Sequence, residues 1–293
     1  MHQGRFEKLV RPAWLHDAIH GKRPAGYPER ELAFFEVGSE GQVAYASGHI
    51  PNALYLDTTT LEAPPLWNRV PDRELEATLL AHGVAHDTPV LLYGRDTSAA
   101  ARAAVLMMYA GVEDVRLLDG GYQAWTAAGY EVETKARQPV AVSSFGCEVP
   151  AHPEYIIDIE EARAFLADDE ALLVSIRSWA EYTGQISGYD RFEARGRIAG
   201  AVWGHAGSTP DLMDHYRRAD NTMRDPGEIE ANWRAWSITP DRRIAFYCGT
   251  GWRASEAFYC AYVLGWERIS VYDGGWSEWS ADPANPVETG EPA

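Results

Sequence analysis

The stretch Ile244-Ala245-Phe246-Tyr247-Cys248-Gly249-Thr250-Gly251-Trp252-Arg253-Ala254-Ser255-Glu256 decides the reading of this chain. An apolar run ends in a cysteine, four residues follow, and an arginine opens a segment of helical character. The expected local structure is a strand, a tight glycine-bearing loop and a helix N-terminus, with a thiol at the first loop position. A helix N-terminus offers free N–H groups and a partial positive charge. A cysteine in such a place is suited to act as a nucleophile, and the loop amides can hold an anion beside it.

Working outward, the same unit is found once before. Shifted by 154 positions and without a gap, Tyr93 falls on Tyr247, Gly111 on Gly265 and Glu113 on Glu267. Asp119-Gly120-Gly121 falls on Asp273-Gly274-Gly275, and Trp125 on Trp279. A fixed offset that spans strand, helix, strand and turn reports a duplicated domain. Cys248 falls on Gly94, so thiol chemistry is confined to the second copy. Apolar runs at 32–37, 89–93, 115–119, 172–176 and 243–247 read as strands, and 75–83, 97–109 and 159–167 as helices. The stretch 207–236 is polar and aromatic and is expected to form short helices. Alternating strands and helices predict an α/β fold, two domains each with a parallel sheet flanked by helices. Residues 1–137 form the first domain, 138–152 a linker bearing Pro139, Ser143, Ser144, Gly146 and Pro150, and 153–293 the second.

The chain has 293 residues, enough for two domains of about 150 that each bury a core. A net charge of −17 argues against nucleic acid or an anionic membrane as partner. It also means that an anion site needs local arginines. Cys147, Cys248 and Cys260 are too few and too far apart for a disulfide framework or a zinc site. Neither a metal nor an organic cofactor is expected. Met1 to His20 has no apolar core of a signal peptide, and the expected setting is the cytoplasm, or the periplasm had a leader been removed.

The chain resembles tandem-domain rhodanese-type sulfurtransferases, the thiosulfate and 3-mercaptopyruvate sulfurtransferase family, over nearly its whole length. The resemblance is carried by Gly48-His49-Ile50-Pro51-Asn52-Ala53, by Ile176-Arg177-Ser178 with Glu181-Tyr182-Thr183-Gly184, by Cys248 to Arg253, and by both Asp-Gly-Gly-(Tyr/Trp)-x-x-Trp segments. It implies a silent first domain and a catalytic second one. It also implies ping-pong transfer, in which Cys248 takes sulfur from a small anionic donor and passes the persulfide sulfur to cyanide or a thiol. The persulfide cradle is then Gly249, Thr250, Gly251, Trp252 and Arg253, with Arg177 and Arg197 as substrate-binding cations. The C-x4-R spacing is one residue shorter than the C-x5-R phosphate cradle of cysteine-dependent phosphatases.

The donor is less sharply written. Family members place a substrate-binding arginine where this chain has Glu181, and a small apolar residue and threonine where it has Trp252-Arg253. The clamp for a mercaptopyruvate carboxylate is therefore incomplete unless Arg191, Arg195 or Arg197 supplies it, and thiosulfate is the favoured donor. A persulfide relay between protein partners is the reading from another class. Cys260 is expected in the core and Cys147 in a passive linker position. Asp119 and Asp273 are expected to hold their turns through local hydrogen bonds. Trp252 reads equally as a lid over the sulfur or as domain packing.

Overall fold

The computed structural model describes residues 4–39, 42–190 and 193–292. Ten strands make two five-stranded sheets. The first holds β1 (Leu9–Val10), β2 (Ala33–Gly38), β3 (Leu54–Asp57), β4 (Val90–Gly94) and β5 (Val115–Leu118). The second holds β6 (Ile156–Ile157), β7 (Ala171–Ser175), β8 (Val202–Trp203), β9 (Arg243–Tyr247) and β10 (Ile269–Tyr272). The spatial orders are β1-β5-β4-β2-β3 and β6-β10-β9-β7-β8, all neighbours parallel. The two permutations are the same, which is the duplication seen in three dimensions. The central strand β4 is apolar throughout (Val-Leu-Leu-Tyr-Gly) and buried at every position, as a parallel strand covered on both faces must be.

The helix after each central strand explains how the halves meet. Thr97–Ala110 is capped by the Asp96 side chain and ends on left-handed Gly111; from Ser98 onward it is buried on all sides. A helix apolar all round belongs inside a protein. Its counterpart, Trp252–Val263, packs against it across the domain boundary. The two helices are thus shared by both domains, and each buries small side chains, Ala99 and Ala103 in the first and Ala257 in the second.

The two helices carry buried charges of opposite sign at one repeat position, Arg102 in the first and Glu256 in the second. Arg102 donates to Glu62 at 3.2 Å and to Asp273 of the other domain. Glu256 accepts from Arg217 and, at 2.8 Å, from the Ser98 hydroxyl of the first domain. Asp119 and Asp273 do not hold their own turns, contrary to expectation. Asp273 accepts from the amide of Arg69 at 2.9 Å and Asp119 from the amide of Met223 at 2.8 Å. Positions 69 and 223 are themselves one repeat apart, so the two aspartates tie the domains reciprocally.

The stretch 207–236 holds a helix, Pro226–Arg234, and otherwise turns that bring Met213, Arg217 and Asn221 to the domain boundary. Among the described residues no helix is long and apolar enough to cross a membrane. Replacing Arg102 by Met leaves the Glu62 and Asp273 carboxylates without their shared cation. We expect a loss of about 3–5 kcal/mol in urea unfolding, much of it restored when Glu62→Gln and Asp273→Asn are added. A stability unchanged by Arg102→Met would show that the cation does not hold the interface.

Candidate active site

β9 ends on Tyr247, and the chain then turns through Cys248, Gly249, Thr250 and Gly251 into the Trp252–Val263 helix. Tyr247 is fully buried and its hydroxyl accepts from the amide of Ile198 at 3.3 Å; Tyr93 does the same for Ile50 at 3.0 Å in the first domain. The tyrosine before the loop therefore fixes the turn of the Gly-x-Ile segment in both copies.

The loop is held from outside by the Asp-Gly-Gly turn. The Cys248 carbonyl accepts from the Trp276 amide at 2.7 Å, and the Gly249 carbonyl from the Ser277 amide at 3.1 Å. Gly275 permits this approach: its φ is +53°, and a Cβ there would lie 2.6 Å from the Cys248 oxygen. Gly121 repeats the arrangement against the Gly94 carbonyl, at φ +55° and 2.5 Å. These two carbonyls are thereby turned toward the Asp-Gly-Gly turn. Among the described residues none accepts a hydrogen bond from the amides of Gly249, Thr250 or Gly251.

Cys248 is 2% exposed, at the floor of a cleft of about 650 Å³ between the domains. Thr250, Trp252 and Arg253 line that cleft from the second domain, and Glu62, Trp67 and Arg95 from the first. Trp252 answers both of its readings: it lines the cleft, and its indole N–H donates to Glu62 at 2.6 Å across the boundary. Burial raises the Glu62 carboxyl above the ordinary value, against the pull of Arg102 and of the Trp252 hydrogen bond.

Arg253 is not an open cation. Its two terminal nitrogens grip Glu181 in a bidentate pair, both at 2.9 Å, and one also donates to the Tyr189 hydroxyl. Glu181 is fully buried and in turn accepts from the Ser178 amide and hydroxyl, both at 2.8 Å, closing a capping box on the short helix Trp179–Tyr182. Burial alone would push its carboxyl up, but the Arg253 hydrogen bonds and charge outweigh this and hold it low. The sequence departures at 181 and 253 are thus one feature, an internal ion pair behind the thiol.

Arg177 and Arg197 do not line the cleft. Arg177 is fully buried and donates to the carbonyls of Gly196 at 2.7 Å and Ser187 at 3.0 Å, besides Glu181 at 3.4 Å. Arg197 binds Glu288 at 3.0 Å and the Gly290 carbonyl at 2.7 Å, joining a small antiparallel pair, Arg197–Ile198 with Val287–Glu288. Arg195 donates to the Gln185 carbonyl at 3.2 Å, and Arg191 lies outside the described residues. Arg95 is held by Glu36 at 3.0 Å and by the Gly48 carbonyl at 2.6 Å. Among the described residues, every arginine that lines the cleft is therefore bound to a carboxylate.

Tyr189, in the loop that also holds Arg191 and Arg195, carries no motif that marks it as a site residue. Its ring lies against Gly249 so closely that a Cβ at 249 would stand 2.1 Å from it. Burial pushes the phenol up to about 12, with Arg253 pulling the other way and the neighbouring Cys248 adding to the rise. The two other thiols take no part here. Cys260 is buried in the core and burial pushes it up to about 12; Cys147 is exposed in the linker.

The rhodanese-like domain family matches this chain twice, over residues 12–128 and 158–282. Thiosulfate sulfurtransferase YnjE of Escherichia coli (strain K12) is 51% identical over 98% of this chain, which spans 66% of that protein. The crystal structure of YnjE covers 99% of the chain with a TM-score of 0.96, and the chain covers 70% of that structure. A structure of EanB in complex with ergothioneine is 42% identical, with a TM-score of 0.95 over 99% of this chain and 72% of its own. The sulfur carrier protein TtuD of Thermus thermophilus is 29% identical over 97% of this chain and 98% of its own length.

The Glu181–Arg253 pair makes stability depend on pH in a defined sense. A carboxyl held below its ordinary 4.5 contributes stability that is full above that value and is lost as the pH falls through the lowered one. Glu181→Gln should cost about 3–5 kcal/mol at neutral pH by leaving Arg253 buried without its counter-charge. It should also flatten the acid limb of the stability profile. A variant with the parent's acid limb would mean that the pair is not the titrating element.

Proposed function

The chain belongs to the rhodanese-like family, with two such domains, and we propose that it is a sulfurtransferase working through a persulfide on Cys248, with thiosulfate as donor. One observation carries the reading: a nearly buried thiol at the floor of a cleft, on a loop that turns its carbonyls away and leads directly into a helix N-terminus. The identity of 51% to a thiosulfate sulfurtransferase supports the choice of donor. The first domain, 1–137, has Gly94 in place of the cysteine and serves as the cleft's second wall, while 153–293 carries the chemistry.

The thiolate attacks the outer sulfur of thiosulfate, the S–S bond of the donor breaks, and sulfite leaves with the bonding pair. Cys248 is left as an anionic persulfide. Cyanide or a thiolate then attacks the terminal sulfur and returns the cysteine as thiolate. The negative charge stays on sulfur throughout, so what the site must supply is fixed dipoles. The amides of Gly249, Thr250 and Gly251, the Thr250 hydroxyl and the helix N-terminus supply them. No general base is needed. Arg253 acts from behind, through Glu181 and Tyr189, by positioning. A 3-mercaptopyruvate carboxylate would need an unpaired guanidinium at the cleft, whereas Arg177 and Arg197 are not among its lining residues and Arg253 is already paired with Glu181. Three free cysteines suit a reducing compartment such as the cytoplasm.

A second reading concerns the acceptor and rests on the cleft's walls. Trp67, Trp252 and Tyr189 are aromatic, and the guanidinium groups are neutralised. Such a lining suits a cationic or zwitterionic organic acceptor, held by cation–π contact, better than a small anion. Hercynine, named with EanB, is an acceptor of this kind. Its ring carbon would bond to the terminal sulfur as the S–S bond breaks and Cys248 leaves as thiolate, the ring C–H proton passing through solvent to the transferred sulfur. A thiol on a carrier protein, as the TtuD likeness suggests, would take the sulfur in the same displacement.

Cys248→Ser should abolish thiosulfate:cyanide transfer, while Cys147→Ser and Cys260→Ser keep most of it. By intact mass, thiosulfate should add one sulfur atom to the parent and none to Cys248→Ser; turnover surviving in Cys248→Ser would sink the scheme. Because the Tyr189 phenol keeps its proton up to about pH 12, Tyr189→Phe should lower kcat yet leave any alkaline limb of the pH–rate profile in place. Loss of that limb in the variant would make Tyr189 the titrating group.

A further inference from the structure

The first domain carries a second constellation, on the far side of its sequence from the cysteine loop. His16 and His20 lie four residues apart at the C-terminal end of the helix Pro12–Ile19. Their rings are 4.4 Å apart and both face Glu131, which follows the helix Gly121–Ala127. His20 Nε2 stands 3.2 Å from one carboxylate oxygen and His16 Nε2 3.7 Å from the other. We propose that His16, His20 and Glu131 form a binding site for a divalent transition-metal cation, with Zn²⁺ the natural guest.

The hydrogen bonding argues for a cation between these groups. His20 Nδ1 lies 2.8 Å from the His16 carbonyl oxygen. A carbonyl only accepts, so Nδ1 carries the hydrogen and Nε2 of the neutral ring is a bare lone pair. That lone pair points at a carboxylate oxygen, acceptor against acceptor. Such a contact is favourable only when a cation, or a proton, sits between. The backbone hydrogen bond to the remote ring nitrogen is the support that ligating histidines ordinarily have.

The rest of the surroundings holds the ligands in place. His16 stacks on Tyr130 at 4.2 Å, and the Glu131 carbonyl accepts from the Trp125 indole at 2.8 Å. The helix end adds partial negative charge. Asp17, the other carboxylate near both rings, is taken by Lys22 at 2.6 Å. Two histidines at i and i+4 with a carboxylate from another element is a ligand set that zinc accepts, with its remaining position open to water. The three ligand atoms lie within 4.8 Å of one another. Zinc bonds of about 2.0–2.2 Å would draw them somewhat closer, a change that side chains exposed by 30–48% make by rotation. Bound metal would staple the N-terminal helix to the end of its domain, and so stabilise the copy that lacks the cysteine.

The test is a Co²⁺ titration of the metal-stripped full chain, followed by displacement with Zn²⁺. We expect one Co²⁺ per chain with visible d–d bands and no thiolate charge-transfer band, which separates this site from the cysteines. His20→Ala and Glu131→Gln should each weaken binding about tenfold or more, and Zn²⁺ should raise the Tm of the parent and not of His20→Ala. His16 packs on Tyr130 and its loss can disturb folding, so the exposed His20 carries the comparison, with circular dichroism as the folding control. A thiolate band, affinities unchanged in both variants, or no saturable binding would overturn the assignment, the last leaving only a protonated His20–Glu131 pair.

Discussion

The guanidinium of Arg102 is the constraint on which the two-domain arrangement turns. It is fully buried and bound by carboxylates of both domains, Glu62 of the first and Asp273 of the second. Each partner has a further task. Glu62 holds the Trp252 indole at the rim of the cleft, and Asp273 receives the Arg69 amide. Arg102 also lies against Gly251, where a Cβ would stand 3.0 Å from a guanidinium nitrogen. One cation therefore sets the domain contact, the Trp252 wall and the closeness of the first domain to the cysteine loop. Buried ion pairs seldom add net stability, but breaking one is costly. Its value here is in specifying a single relative placement of two similar halves.

Duplication alone would give a symmetric molecule with two equivalent loops, and the reciprocal aspartate bonds at Asp119 and Asp273 preserve that symmetry. The asymmetry is concentrated in a few side chains at equivalent positions. Gly94 stands for Cys248, and Arg102 for Glu256, opposite charges on equivalent turns of paired helices. The cleft is thus built from both halves, with the chemistry on one side.

The sheets, the cysteine loop and the confinement of the thiol to one half were legible because they are written locally, in apolar runs, glycines and a fixed offset. The β4 and β9 strands and the helices after them fall where the pattern places them. What escaped reading depends on the other domain. Asp119 and Asp273 look like turn residues because nothing in their own segments reveals that Met223 and Arg69 will face them. Arg177 and Arg197 are read as substrate cations from their charge, and sequence does not record the carbonyls and carboxylates to which both donate in the fold. Tyr189 sits in a polar loop without periodicity, and only the fold brings its ring to Gly249.

The Glu181–Arg253 pair bears on how the site treats charge. An arginine at position 253 suggests an anion cradle, yet its fork is closed on a carboxylate that a capping box holds in place. The pair as a whole is near neutral, so it contributes orientation and little net field. The chain's net charge of −17 works against a dianionic donor at long range. Attraction must then be short-ranged and directional, from loop amides and a helix end acting over the last few ångströms, where the sulfur already lies out of bulk water. In the proposed scheme such a site selects for a charge that resides on a single sulfur at the bottom of the cleft, and the aromatic side chains Trp67, Trp252 and Tyr189 discriminate among what the donor or acceptor carries above it.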